Sequence, residues 1–286
     1  MKKALKIVLI LTITGFIACN STAQERMVSF DEYQIHINET GKGKPAVIIE
    51  AGLGSGYDAY DTLQTAISAH TKVVSYDRPG LGESGESPSP RTLPNYVNEL
   101  RLLLEKEDIE PPYILVGHSL GGLIIRYYAH KYPGEVAGLV LIDCIPEGWF
   151  SYLMSTHSKE EIEGLNKVID PDLNNSTGVT QDEWREFQNN CELIKGVQLS
   201  KNIPVRVITA VQYGEAQKAL GYHPEDMQVW AQMQANSMSN STDAKQIITE
   251  KSGHSVQETE PELIIDAIIE LIKINNKVTK HIKSKK

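Results

Sequence analysis

Apolar and polar residues change their period several times along this chain. Met27–Phe30 and Tyr33–Ile37 alternate around Asp31-Glu32, which predicts an antiparallel hairpin. From residue 46 the alternation gives way to short, mostly apolar strands, Ala46–Glu50, Lys72–Tyr76, Tyr113–Val116 and Val136–Ile142. Such composition suits strands covered on both faces. Helical spacing separates them, over about Asp58–Ala69, over Tyr96–Leu104 through Val97, Leu100 and Leu104, and at Leu123, Ile124, Tyr127 and Tyr128. Strand and helix in alternation predict an α/β fold, a mostly parallel, doubly wound sheet of about eight strands with an antiparallel edge at its start.

The rhythm breaks between residues 144 and 202. Two helical patterns occupy this stretch, around Lys159–Ile169 and Asp182–Leu193, joined by a polar loop over 170–178. Strand character returns at Val205–Ala210, then a helix near Glu225–Met238, a strand at Lys245–Thr249 and a last helix over about Pro261–Ile272. Thr259 and Glu262 give that helix a capping-box pattern. Nothing repeats and no linker divides the chain, so the expectation is one domain over 24–286 with a helical cap inserted at about 144–202.

Gly117-His118-Ser119-Leu120-Gly121 joins the run Tyr113–Val116 directly to a helix. A strand that turns at once into a helix leaves the intervening Ser strained, with its hydroxyl projecting outward, and glycines on either side let the two backbones converge. The Leu120 N–H then lies at a helix N-terminus, where unpaired amides favour negative charge. Gly-x-Ser-x-Gly also recurs by chance as a softened turn carrying an exposed Ser. In strand–turn–helix context, with the rest of the pattern around it, the chain resembles the α/β-hydrolase superfamily over nearly all of its mature length.

That resemblance implies a Ser nucleophile, an acid and a His in chain order, each on a loop at the carboxyl end of a strand. Ser119 matches the nucleophile. His254, in Ser252-Gly253-His254 after the strand Lys245–Thr249, matches the base. The acid departs from the common pattern, because Tyr213 stands where many relatives carry Asp. Asp143, at the end of Val136–Ile142, occupies the position some branches use, and Glu215 is the alternative. Relatives usually have His-Gly after the strand matching Ala46–Glu50, and this chain has Ala51-Gly52. Matching Gly52 makes the Leu53 and Leu120 amides the oxyanion hole, without the side chain that normally braces the loop. Asp77-Arg78-Pro79-Gly80-Leu81-Gly82-Glu83-Ser84 also resembles the family, where its role is architectural.

Composition narrows the surroundings. With 286 residues and 41% hydrophobic content the chain can bury a large core. Met1-Lys-Lys-Ala-Leu-Lys6 followed by the apolar Ile7–Ala18 reads as an export signal too short to span a bilayer. Phe16-Ile-Ala-Cys19 resembles a lipobox, which would place a lipid tether on Cys19 after removal of 1–18. Ser21-Thr22-Ala23 is a competing signal-peptidase site ending the leader at 23. Either route predicts an exported protein of a bacterial periplasm or envelope.

The formal charge is −9, and losing Lys2, Lys3 and Lys6 with the leader makes it −12. Six more lysines fall between Lys273 and Lys286, so the body is more acidic still. That argues against nucleic acid and polyanionic substrates. Cys144 and Cys191 remain after either cleavage, enough for one disulfide but not for a framework, and no His or Cys spacing resembles a metal site. The resemblance implies an exported serine hydrolase that cleaves a carboxylic ester-type bond in a small molecule through Ser119, His254 and Asp143, with no cofactor. An aminopeptidase or amidase of the same fold would need an amine anchor such as Glu147. A slow-turnover ligand-binding protein retaining the triad is the other reading.

Overall fold

The computed structural model describes residues 23–284, with side chains except at 168–174 and 281–283. Residues 1–22, Cys19 among them, lie outside the described residues, whereas Ala23, where the competing processing site ends, is described and Gln24 opens the first strand. Eight strands form one sheet: β1 (Gln24–Ser29), β2 (Gln34–Thr40), β3 (Ala46–Glu50), β4 (Val73–Tyr76), β5 (Tyr113–His118), β6 (Val136–Ile142), β7 (Val205–Ala210) and β8 (Ala244–Thr249). Their order is β1-β2-β4-β3-β5-β6-β7-β8. β1–β2 and β2–β4 are antiparallel, and every later pairing is parallel.

The apolar runs have a direct cause. In β3, Ala46 and Ile48 enter one core while Val47 and Ile49 enter the other. β5 divides the same way, Tyr113 and Leu115 against Ile114 and Val116. A strand whose alternate side chains feed two cores has no polar face to show. Helices α2 (Leu93–Lys106) and α3 (Leu120–Lys131) cover the first face, and α1 (Asp61–Ser68) and α10 (Pro261–Ser284) cover the second.

From β3 the chain steps to β4 on one side and then to β5 on the other. The carboxyl ends of β3 and β5 therefore flank a crevice at the switch in winding, the usual place for a ligand in an open α/β sheet. The loop 51–56 leaves β3 there, and Ser119 leaves β5.

Three helices lie between β6 and β7: α4 (Trp149–Thr156), α5 (Lys159–Asn175) and α6 (Gly178–Leu193). α4 is absent from the sequence reading, and α5 runs through most of the stretch expected as a polar loop. Helix propagation costs less than nucleation, so an established helix extends through residues of indifferent propensity. β7 and β8 are joined through α7 (Glu215–Ala219) and α8 (Pro224–Asn236), and α9 (Val256–Thr259) precedes α10. A separate apolar cluster joins Trp149, Leu153 and Leu165 to Trp230 of α8. The roof over the crevice thus draws on two excursions of the chain, not on 144–202 alone.

Two local expectations change. The Thr259 hydroxyl donates to Ser252 Oγ at 2.7 Å instead of capping α10, and that helix continues to Ser284. Cys144 and Cys191 are separate buried thiols.

Candidate active site

Ser119 sits at φ 52° and ψ −117°, between the last residue of β5 and the first of α3. Backbone in this region is strained for any residue with a Cβ. Its N–H donates to Ile142 O at 3.1 Å, and Gly122 N–H donates to its carbonyl at 3.0 Å. The glycines of the motif are required by contact. A Cβ on Gly121 would stand 2.3 Å from Glu50 O, and one on Gly117 2.5 Å from Gly121 O.

Asp143 follows β6 with φ 41°, and it is buried. Its Oδ1 accepts from Trp230 Nε1 at 2.9 Å, Gln234 Nε2 at 3.0 Å and Ala210 N–H at 3.1 Å. Its Oδ2 lies 2.7 Å from His254 Nδ1. The imidazole is half-exposed and shares one pocket with Ser119, Asp143 and Leu53. The structure therefore brings Ser119, Asp143 and His254 to one place. Glu215 is elsewhere, 92% exposed and 2.7 Å from Lys218 Nζ, and the Tyr213 hydroxyl donates to Tyr222 O.

The loop after β3 is pinned residue by residue. Gly52 N–H donates to the Tyr60 hydroxyl at 3.2 Å, and Gly54 N–H to Glu183 Oε2 at 2.8 Å. Leu53, the residue between them, lines the pocket. Arg78 supplies the brace that Ala51 lacks, donating through Nη1 to Ala51 O at 2.7 Å and through Nη2 to Gly52 O at 2.6 Å. Asp77 serves the same loops, accepting from Tyr57 N–H and Glu83 N–H.

Sequence reasoning missed His118. Its Nε2–H donates to His254 O at 2.9 Å, so it holds the backbone of the loop that carries the imidazole. Burial, with the neighbouring His254 adding to it, pushes the His118 imidazole down to about 3. An ordinary histidine in the unfolded chain titrates near 6.5. Between those values the unfolded chain binds more protons than the folded one, so stability falls as pH drops from about 6.5 toward 3. His118→Gln keeps an N–H donor without a proton to gain. Denaturant midpoints measured against pH should fall less steeply in this variant than in wild type across that window, and parallel curves would rule out the effect.

The pocket encloses about 280 Å³ beneath the roof. Trp149, Phe150, Trp184, Phe187, Tyr222, Met227 and Trp230 line it, and Asp143 is its only carboxylate among the described residues. Glu147 is not part of the lining. It pairs with Arg126 and accepts from Gly196 N–H at 3.2 Å. His157, His223 and Asp226 place possible ligand atoms within 4.8 Å of one another, but each group is engaged. His157 bonds Asp226, His223 bonds Glu161, and the two imidazoles stack nearly parallel, so their lone pairs do not converge.

The profile of the alpha/beta hydrolase fold family matches residues 45–189, and the chain belongs to that family. The uncharacterized protein YqjL of Bacillus subtilis (strain 168) is 26% identical over 253 residues, covering 88% of this chain and 93% of that one. An esterase from Thermogutta terrifontis superposes with a TM-score of 0.58 at 19% identity, over 88% of this chain and 98% of that one. An epoxide hydrolase from Vigna radiata gives a TM-score of 0.63 at 16% identity, over 88% and 98%. Membership of the family supports a hydrolytic enzyme in general terms, and the two solved structures share its fold. One architecture carries both of those chemistries, so only the site can choose between them.

Proposed function

We propose that this protein hydrolyses carboxylic esters with an uncharged, apolar acyl or alcohol group. Ser119 Oγ attacks the carbonyl while His254 Nε2 takes its proton, and Asp143 holds the Nδ1–H tautomer and stabilises the imidazolium. The Leu53 and Leu120 amides face the oxyanion. The C–O bond to the alcohol breaks as His254 returns the proton, and water then releases the acyl group by the same steps reversed.

The observation that carries this reading is the 2.7 Å pairing of His254 with buried Asp143, in the pocket that also holds strained Ser119. The aromatic wall supports the substrate class, because a charged group there would be desolvated without a partner. The pairing of Glu147 with Arg126 weighs against an aminopeptidase, since the anchor for an amine is already taken.

A fluorophosphonate should label Ser119, and p-nitrophenyl esters should turn over many times per site. With one leaving group, kcat/KM for butyrate or benzoate should exceed that for the charged hemisuccinate by at least about tenfold. Failure of both labelling and turnover sinks the serine-hydrolase reading. Preference for the hemisuccinate sinks the substrate class, and labelling with a single turnover would favour a binding protein.

A further inference from the structure

Beneath the β3 loop lies a buried cluster of one cation and two carboxylates. Arg78 is held between Glu50, the last residue of β3, and Glu183 of α6, each of the three no more than 2% exposed. Arg78 Nε donates to Glu183 Oε1 at 2.7 Å and Nη2 to Oε2 at 3.0 Å, a bidentate pair. Nη1 donates to Glu50 Oε1 at 3.0 Å. The Tyr76 hydroxyl donates to Glu50, and the Tyr96 hydroxyl to Glu183 Oε1 at 3.3 Å. Glu50 and Arg78 belong to the sheet and its loops, whereas Glu183 comes from the roof.

The cluster acts on two peptide planes. Gly52 C=O and Leu53 N–H share one plane and point oppositely across a trans peptide. Arg78 Nη2, 2.6 Å from Gly52 O, therefore sets the direction of the Leu53 N–H. The next plane carries the Gly54 N–H, which Glu183 Oε2 holds at 2.8 Å. Both planes flanking Leu53 are thus fixed by the cluster, one through Arg78 and one by Glu183 itself. α6 lies close enough that a Cβ on Gly54, at φ +66°, would stand 2.9 Å from Thr180 Cγ2.

We propose that Glu183, on the roof helix α6, is a positioning residue for the oxyanion hole: through Arg78 and the Gly54 amide it aims the Leu53 N–H that ester turnover uses. The inference rests on the ester-hydrolase reading. An oxyanion donor is used as charge develops in the transition state, so its misplacement lowers kcat while substrate binding persists.

The test uses the full-length protein and a p-nitrophenyl ester, well below the unfolding temperature. Glu183→Gln keeps the size but loses the charge and one acceptor. It should lower kcat by about 10- to 100-fold with KM held within about twofold. The rate constant for phosphonylation, which also builds charge on an oxygen, should fall in parallel. Asn190→Ala is the control. Asn190 also docks α6, accepting from Leu93 N–H and donating to Arg91 O, both at 2.9 Å, but it does not touch the loop. It should lower Tm while kcat stays near wild type.

Unchanged kcat in Glu183→Gln overturns the proposal. So does a rise in KM at constant kcat, or an equal loss of kcat in Asn190→Ala, which would make Glu183 a mere anchor. Should Glu183→Gln not fold, Glu183→Asp keeps the charge but draws the carboxylate back by one methylene. A kcat there equal to wild type overturns the proposal as well. Wild-type protein that neither turns over esters nor takes the phosphonate removes the function itself, and this inference with it.

Discussion

Ser119→Ala is expected to lower kcat on a p-nitrophenyl ester by about 10⁴-fold or more, the scale on which nucleophile removal acts in triad enzymes. Among the described lining residues of the pocket, Ser119 is the only Ser, Thr or Cys. The fold should be indifferent to the change. Alanine still carries a Cβ at φ 52°, so the strain of the turn is the same in both proteins. The backbone bonds of residue 119 to Ile142 and Gly122 do not use the side chain. A thermal scan should therefore show a Tm close to wild type, with fluorophosphonate labelling abolished. Turnover retained in the variant would mean that Ser119 is not the nucleophile.

Asp143→Asn is expected to cost on the order of 10⁴ in kcat while the protein stays folded. The geometry separates the two effects. Oδ1 carries the structural load, with Trp230, Gln234 and the Ala210 amide all donating to it, and an Asn oxygen can accept the same three bonds. Oδ2 meets only His254 Nδ1 among these groups. An Asn Nδ2 placed there is a donor, so it favours the imidazole tautomer protonated on Nε2, which cannot accept the Ser119 proton. Glu215→Gln should change kcat/KM little, because its carboxylate lies in solvent beside Lys218. Measuring both variants on one ester decides between the acids. A crippled Glu215→Gln beside a near-normal Asp143→Asn would return the acid to the loop after β7.

His118 and Glu183 extend this picture from the reacting groups to the backbone that presents them. One holds the carbonyl of His254, the other the amide of Gly54. One bond joins β5, and the other the loop after β3, to a loop or helix far along the chain, so under the proposed function part of the site's precision lies outside Ser119, Asp143 and His254.

The sheet and the turn from β5 into α3 are legible in the sequence alone. Val47 and Ile49 enter one core and Ile48 the other, so a central strand is apolar on both faces along most of its length, and the run is visible without a structure. Gly117 is equally local, since a Cβ there would meet Gly121 O within the same turn, whereas the contact that requires Gly121 is with Glu50 O of β3 and belongs to the tertiary structure. Strand order then carries Ser119 to the switch in winding. The roof was less legible. Trp149–Thr156 shows few polar positions, because α4 packs aromatic side chains against Trp230 and Tyr222 from another excursion. The pairing of Asp143 with His254 across 111 residues, the Trp230 and Gln234 donors to that acid, and the reach of Glu183 to Arg78 were decided by the tertiary structure. Periodicity records which way a side chain faces within its own element. It holds no information about which distant charge will share its burial, and a buried ion pair exists only once the fold has removed both partners from water.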